Sequence, residues 1–387
     1  MEGIIVSNIN ETDNKLNFTL NNNDVSVVNA LRRVILSNIN TIVFRGFPDS
    51  ENQIKFHKNT TKFNNEYLKH RLSCIPVVNS DSSTFESFCN LNQILIHVEN
   101  DTLEQKNVTT DDIKIIDKKT KTPIEEDISV YFPHDSITNE PILICVLYPN
   151  YNSLTEENEA IHIEANLSIG NAYECACWNV VHHCAYEAVQ DEAQVANVAN
   201  QINDPFEKKD FMLLDAQKIV KPQCFKLSLA TIGIYSNKEI VQKACYYIME
   251  KLSLMEVFFE SEGKQPIIET KQQHLKNTND GTISREQRNN IEDTYCFVYK
   301  EDDFYILEIK QDDYTIGKLI EKHFYKEYES NISFVAFKKN HPTQENAFVY
   351  IQYKNNPTKQ DTRLYQDMSS LIKKLLTLFR NILQEFK

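Results

Sequence analysis

The stretch Asn29–Asn38 reads NALRRVILSN and lies between a polar run, NNND at 21–24, and a β-branched run, TIVFRG at 41–46. Val27, Val28, Leu31, Val34 and Ile35 fall at i, i+1, i+4, i+7 and i+8, the spacing of one apolar stripe on an amphipathic helix. Asp24, or the asparagine before it, offers an oxygen to the unpaired N–H groups of a first turn, so the helix is predicted to start there. Two adjacent arginines, Arg32 and Arg33, interrupt this surface. Neighbouring helix residues point about 100° apart, so the two do not serve one contact. Either at least one is solvated or paired with a local carboxylate, or the surface awaits another protein.

Working outward, the segments before the helix, IIVSNI and KLNFTL, alternate as strands, and TIVFRG follows as another. From about residue 48 the chain is β-rich: YLKHRLSCIPVV begins helical and ends extended at Pro76, and QILIHVE, PILICVLY and IHIEANLSI read as strands. A second strand and helix follow at 225–256. There Ser236 and Glu239 have capping-box spacing, and Ile240, Val241, Ala244, Ile248, Leu252 and Met255 share one face. Residues 263–291 are polar and aperiodic and read as a linker. Beyond them the opening grammar returns: strands TYCFVYKE and FYILEIK, a helix YTIGKLIEKHFYKEY, strands NISFVAFKK and NAFVYIQYK, and a long final helix. In that last helix Tyr365, Met368, Ile372, Leu375, Phe379, Ile382 and Phe386 alternate spacings of three and four, a seam suited to another helix.

At 387 residues the chain has room for two or three cores. A net charge of −14 disfavours a broad phosphate-binding surface, so no direct nucleic-acid contact is expected. No apolar run approaches the ~18 residues of a membrane span, and the first residues lack the pattern of a signal peptide, so an intracellular protein with no membrane contact is expected. Nine scattered cysteines, an odd number, fit a reducing compartment. Seven glycines with no Gly-rich cradle disfavour a nucleotide-binding enzyme.

The two ends resemble the two alpha-like dimerisation subunits of multisubunit DNA-dependent RNA polymerases, the D-type and L-type (third- and eleventh-subunit) homologues. The D-type helix motif N-(A/S)-L-R-R-(I/V)-L is matched by Asn29-Ala30-Leu31-Arg32-Arg33-Val34-Ile35, and the later Asn-Thr and (D/E)-x-x-x-H-R elements by Asn59-Thr60 and Glu66 through Pro76, including His70 and Arg71. The L-type motif E-D-H-T-L-G-N-L appears as Asp312-Asp313-Tyr314-Thr315-Ile316-Gly317-Lys318-Leu319, followed by Ile320, with tyrosine replacing histidine and lysine replacing asparagine. The A-G-Y-x-x-x-H-P motif appears as Ala336 through His341-Pro342. Both partners in one chain resemble natural fusions of large cytoplasmic DNA viruses, which would place such a protein in host cytoplasm and virion.

The resemblance implies an α+β fold: two alpha-like modules, each an antiparallel sheet packed on helices, paired pseudo-twofold, with a β-rich insert. Residues 1–47 and 223–262 would form the D-type domain, 48–222 the insert and 292–387 the L-type domain. It further implies a non-catalytic assembly platform without cofactor, binding the second-largest polymerase subunit and small zinc-binding subunits. Asn29, Leu31, Arg32, Arg33, Ile35, Glu66, His70, Arg71, Asp313, Thr315, Ile316, Gly317, Leu319, Ile320, His341 and Pro342 would lie at subunit interfaces, with Arg33 touching the large partner. The apolar stripe of the first helix would pack on that of 314–328.

One stretch supports a rival. CACWNVVHHC sets Cys175, Cys177, His182, His183 and Cys184 close together, residue types that ligate zinc or serve a Cys/His-dependent enzyme. Against this, C-x-C lacks the usual turn between ligands, buried thiols are ordinary, and Glu174–Trp178 resembles the family's non-metal E-H-A-K-W stretch. His70 and Arg71 as base and anion clamp have no nucleophile placed with them, and as a helix-end pair they read as binding carbonyls and a local acid.

Overall fold

The computed structural model describes residues 5–12, 14–78, 85–124, 127–135, 137–149, 158–261, 295–354 and 363–387. The 263–291 linker lies outside them. The fold is α+β, its sheets are antiparallel, and the chain divides into two compact units.

The first unit comprises residues 1–35, 183–229 and 241–387. It holds strands β1 (Ile5–Thr12) and β2 (Lys15–Asn21) and helix α1 (Val25–Ser37), whose last two residues pass into the second unit. Asp24 caps α1, its carboxylate accepting from Ser26 N at 2.8 Å, and Val27, Val28, Ala30, Leu31, Val34 and Ile35 are buried. The predicted stripe is therefore the core face. After the second unit come β10 (Val181–Gln190), helices α4 (Glu192–Gln201) and α5 (Pro205–Leu213), β11 (Val220–Thr231) and α6 (Asn237–Ser261). The capping box forms: Ser236 Oγ accepts from Glu239 N at 3.3 Å and Glu239 accepts from Ser236 N at 2.8 Å. Strand order is β1-β2-β11-β10.

The C-terminal elements are β12 (Cys296–Glu301), β13 (Phe304–Ile309), α7 (Ile316–Tyr328), β14 (Ile332–Lys338), β15 (Ala347–Tyr353) and α8 (Arg363–Gln384), with strand order β12-β13-β15-β14. Tyr305, Leu307 and Ile309 pair across with Ile351, Val349 and Ala347, which puts all six on one buried face. Helix α7 lies on β14 and β15, and α8 packs on α7. The other face carries a smaller cluster of Tyr299, Ile306 and Phe348.

The two sheets share one topology. Apart from the insert and the α4–α5 pair between β10 and β11, strand, strand, helix, strand, strand, helix gives the order 1-2-4-3 in each, so β10, β11 and α6 answer β14, β15 and α8. This corrects the sequence reading in two places. Strand β3 (Thr41–Phe44), assigned above to the D-type domain, pairs with residues Leu167–Gly170 of an insert strand, and its four residues are buried there. Strand β10, assigned above to the insert, belongs to the first sheet. Hydrogen-bond partners decide sheet membership, and β-propensity carries no information about which distant strand will be the partner.

The second unit comprises residues 36–182 and 230–240. Its elements are β3, β4 (Ile54–Asn59), α2 (Asn65–Ser73), α3 (Phe85–Leu91), β5 (Asn92–Glu99), β6 (Lys106–Thr109), β7 (Ile113–Asp117), β8 (Leu143–Leu147) and β9 (Ala160–Gly170). Strand β9 is its spine. It pairs with β3 at 167–170, with β4 at 161–165, and with β5 at 160–166. A separate ribbon pairs β6 with β8.

Candidate subunit interface

In the first unit, α1 lies beside α7 and the segment leading into it. Arg33 donates from Nη2 to Asp313 Oδ2 in an ion pair, and from Nε to Thr315 Oγ1 at 3.1 Å. Its guanidinium also lies over the Tyr314 ring, 5.9 Å from the centroid. At the other end, the Asp24 carboxylate feels the charges of His323 and Lys322. The electrostatic proximity of 24 to 322–323 and the bonds of 33 to 313–315 make the two helices antiparallel. Leu31, Ile35, Ile316, Leu319 and Ile320 are buried.

The DDYT segment is organised to receive the arginine. Asp313 Oδ1 accepts from Thr315 N at 3.1 Å and from its hydroxyl at 2.9 Å, which leaves Oδ2 for Arg33. Asp312 turns inward and accepts from Gly317 N at 3.0 Å at the start of α7. Burial, and then the neighbouring Asp313 charge, push its carboxyl up to about 7. Gly317 is required by close approach: a Cβ there would lie 2.2 Å from Phe337 Cε2. His323 is buried on α7 with neither ring nitrogen hydrogen-bonded among the described residues, and burial lowers its pKa against the raising effect of Asp24.

Arg32 points elsewhere, as the 100° rule requires. Its Nε and Nη2 donate to Asn29 Oδ1 at 3.1 and 3.0 Å. Both arginines are thus engaged within the chain. Arg33, expected above to reach the large partner, is 29% exposed beside an Asp313 that is 22% exposed.

A second helix pair accompanies the first. Gln242 Nε2 near the start of α6 donates to Phe386 O at 2.7 Å, just past the end of α8. Toward the end of α6, Glu260 pairs with Lys373 of mid-α8 at 2.7 Å, and the Phe259 ring meets Tyr365, near the start of α8, at 5.7 Å. Helices α6 and α8 are therefore antiparallel, and the α8 seam from Tyr365 to Phe386 is buried throughout. His341 and Pro342 form an exposed turn between β14 and β15, His341 Nδ1 lying 2.7 Å from Thr343 Oγ1.

In the second unit, Glu66 and His70 are exposed on α2. Arg71 donates to Ile144 O at 2.9 Å and Leu143 O at 2.7 Å, tying α2 to the edge of β8. It binds carbonyls of a neighbouring strand and not those of its own helix. Sequence reasoning missed Arg45, which follows β3. It donates to Glu174 at 2.8 Å, Glu51 at 3.1 Å and Ile169 O at 2.8 Å, and lies 4.7 Å over the Trp178 ring. Glu174 and Trp178 are the ends of the E-x-x-x-W pattern, so their spacing was the available signal.

The metal-like stretch is otherwise built. The Cys175 and Cys177 sulfurs lie 2.9 Å apart, and no third ligand groups with them among the described residues. His182 Nδ1 sits 3.3 Å from Thr231 O. Burial pushes the Cys184 thiol up to about 12 and raises that of Cys177, so both are thiols at neutral pH and poor nucleophiles.

The sequence profile of the RNA polymerase Rpb3/Rpb11 dimerisation domain matches residues 17–252. A conjugation stage-specific protein of Tetrahymena thermophila is 33% identical over 141 residues, 34% of this chain. DNA-directed RNA polymerase II subunit rpb3 of Dictyostelium discoideum is 35% identical over 72 residues, 19% of this chain. The aligned regions span 43% and 20% of those two proteins.

Proposed function

The chain belongs to the RNA polymerase Rpb3/Rpb11 dimerisation domain family, and on that premise we propose that it is a non-catalytic assembly subunit of a DNA-directed RNA polymerase. In this reading its D-type and L-type modules pair within one polypeptide, and the paired modules form the platform on which the second-largest subunit docks. The observation that carries the reading is the bridge from Arg33 to Asp313 and Thr315, which joins the two motif-bearing segments across 280 residues of chain. The antiparallel α6 and α8 pair supports it, because like elements of two modules meet antiparallel in an isologous contact.

Arg33 then acts first between the modules, and its remaining exposed edge is the part offered to the large partner. The exposed Glu66 and His70 and the His341–Pro342 turn are candidates for contact with the large and small zinc-binding subunits. Affinity purification of the tagged chain from its native source is expected to recover the two largest polymerase subunits, and Arg33→Ala to reduce that recovery at least several-fold while the chain stays folded. Failure of the wild-type chain to recover any large polymerase subunit would reject the platform.

A further inference from the structure

On one face of the insert sheet, His57 of β4 converges with His162 and Glu164 of β9: one ligand atom from each lies within 4.8 Å of the others. His57 Nε2 is 2.9 Å from Glu164 Oε2. The rings of His57 and His162 are 4.7 Å apart, and the ring of His97 on β5 stacks on His162 at 4.7 Å.

The register builds this cluster. His97 pairs directly with His162, and Glu164 follows two residues on, on the same face. In β4 the pairing shifts between Phe56 and Lys58, so that two residues, His57 and Lys58, oppose the single His162. Such a bulge re-aims the side chain it carries.

We propose that His57, His162 and Glu164 bind a divalent transition-metal ion of the zinc class, with His97 orienting the His162 ring and solvent completing the coordination. Two imidazole nitrogens and one carboxylate form the donor set of an open zinc site, whereas calcium and magnesium take oxygen ligands. Lys55 and Lys58 pair across the sheet with Glu164 and His162 and offset the carboxylate, so selection falls to the imidazole nitrogens and not to net charge. Around a tetrahedral zinc the ligand atoms close to roughly 3.3 Å, a movement that side-chain rotation supplies. The ion would pin the bulged β4 to β9.

The test is titration of the chelator-treated full-length chain with Co²⁺, followed by displacement with Zn²⁺. One equivalent is expected, with visible ligand-field bands and no thiolate charge-transfer band. His162→Ala and Glu164→Gln should each weaken binding at least tenfold with the far-UV spectrum unchanged, and His97→Ala by about tenfold, as for an outer-shell partner. Replacing Cys175 and Cys177 together by serine should leave binding unchanged. Absence of stoichiometric binding, or binding that carries the thiolate band and is lost in the serine variant, would overturn the assignment.

Discussion

Gly317 and Asp312 show how much one side chain decides at the start of α7. Alanine at 317 drives its methyl into the Phe337 ring. Gly317→Ala is expected to destabilise the protein by about 1–3 kcal/mol, the usual cost of overpacking, despite alanine's better helix propensity. Denaturant unfolding measures this, and Phe337→Leu in the same chain should recover part of the loss. Asp312 titrates near 7 in the folded chain against about 4 when unfolded. The folded state therefore binds more protons between these values, and this carboxyl makes stability fall as pH rises from about 4 to 7. Asp312→Asn keeps an acceptor for Gly317 N and removes the charge. Its stability relative to wild type is expected to rise across that window, by at most about 4 kcal/mol. Thermal unfolding of both proteins at several pH values checks the slope, and a difference that stays flat would reject a buried, neutral carboxyl. The importance of Arg33 was legible from its motif. Its partner was not, because Asp313 and Thr315 lie 280 residues away and no local pattern names a partner at that separation.

Among the elements, α8 carries its face most openly in sequence. The positions spaced by three and four are the buried ones, since a helix must place them on one side whatever the rest of the chain does. What the seam meets was left open, and α6 answers it. Phe379 is fully buried, and Phe379→Ala is expected to cost about 3–5 kcal/mol in denaturant unfolding. The Lys373–Glu260 pair at the rim is half-exposed and screened by water, so Lys373→Ala should leave stability nearly unchanged. Strands behaved differently. The elements β3, β10 and β11 were all read as extended or left unread, but only the ladder assigns β3 to the insert and β10 to the first sheet.

For the whole molecule, two modules of one topology and a β-rich insert between α1 and β10 describe the chain. In the C-terminal module the same position, between α7 and β14, holds only residues 329–331. If the modules pair as a dimer within one chain, their association does not depend on the covalent link through 263–291. A protease site engineered there is expected to give two fragments that still co-elute on gel filtration at micromolar concentration, held by α1 with α7 and α6 with α8. Separation of the fragments would reject the pairing while leaving each module's fold untouched.

Sequence by itself determined the helices α1, α6, α7 and α8 and their buried faces, the caps of α1 and α6, and the recurrence of one grammar at both ends, because these depend on residues within a few turns of one another; the short α3, α4 and α5 went unread. Tertiary structure alone decided which strands share a sheet, that Arg33 is taken up by Asp313, that Arg45 gathers Glu174 and Trp178, and that three histidines from three strands lie side by side. Those depend on register between distant strands, where a shift of one residue moves every side chain to the opposite face.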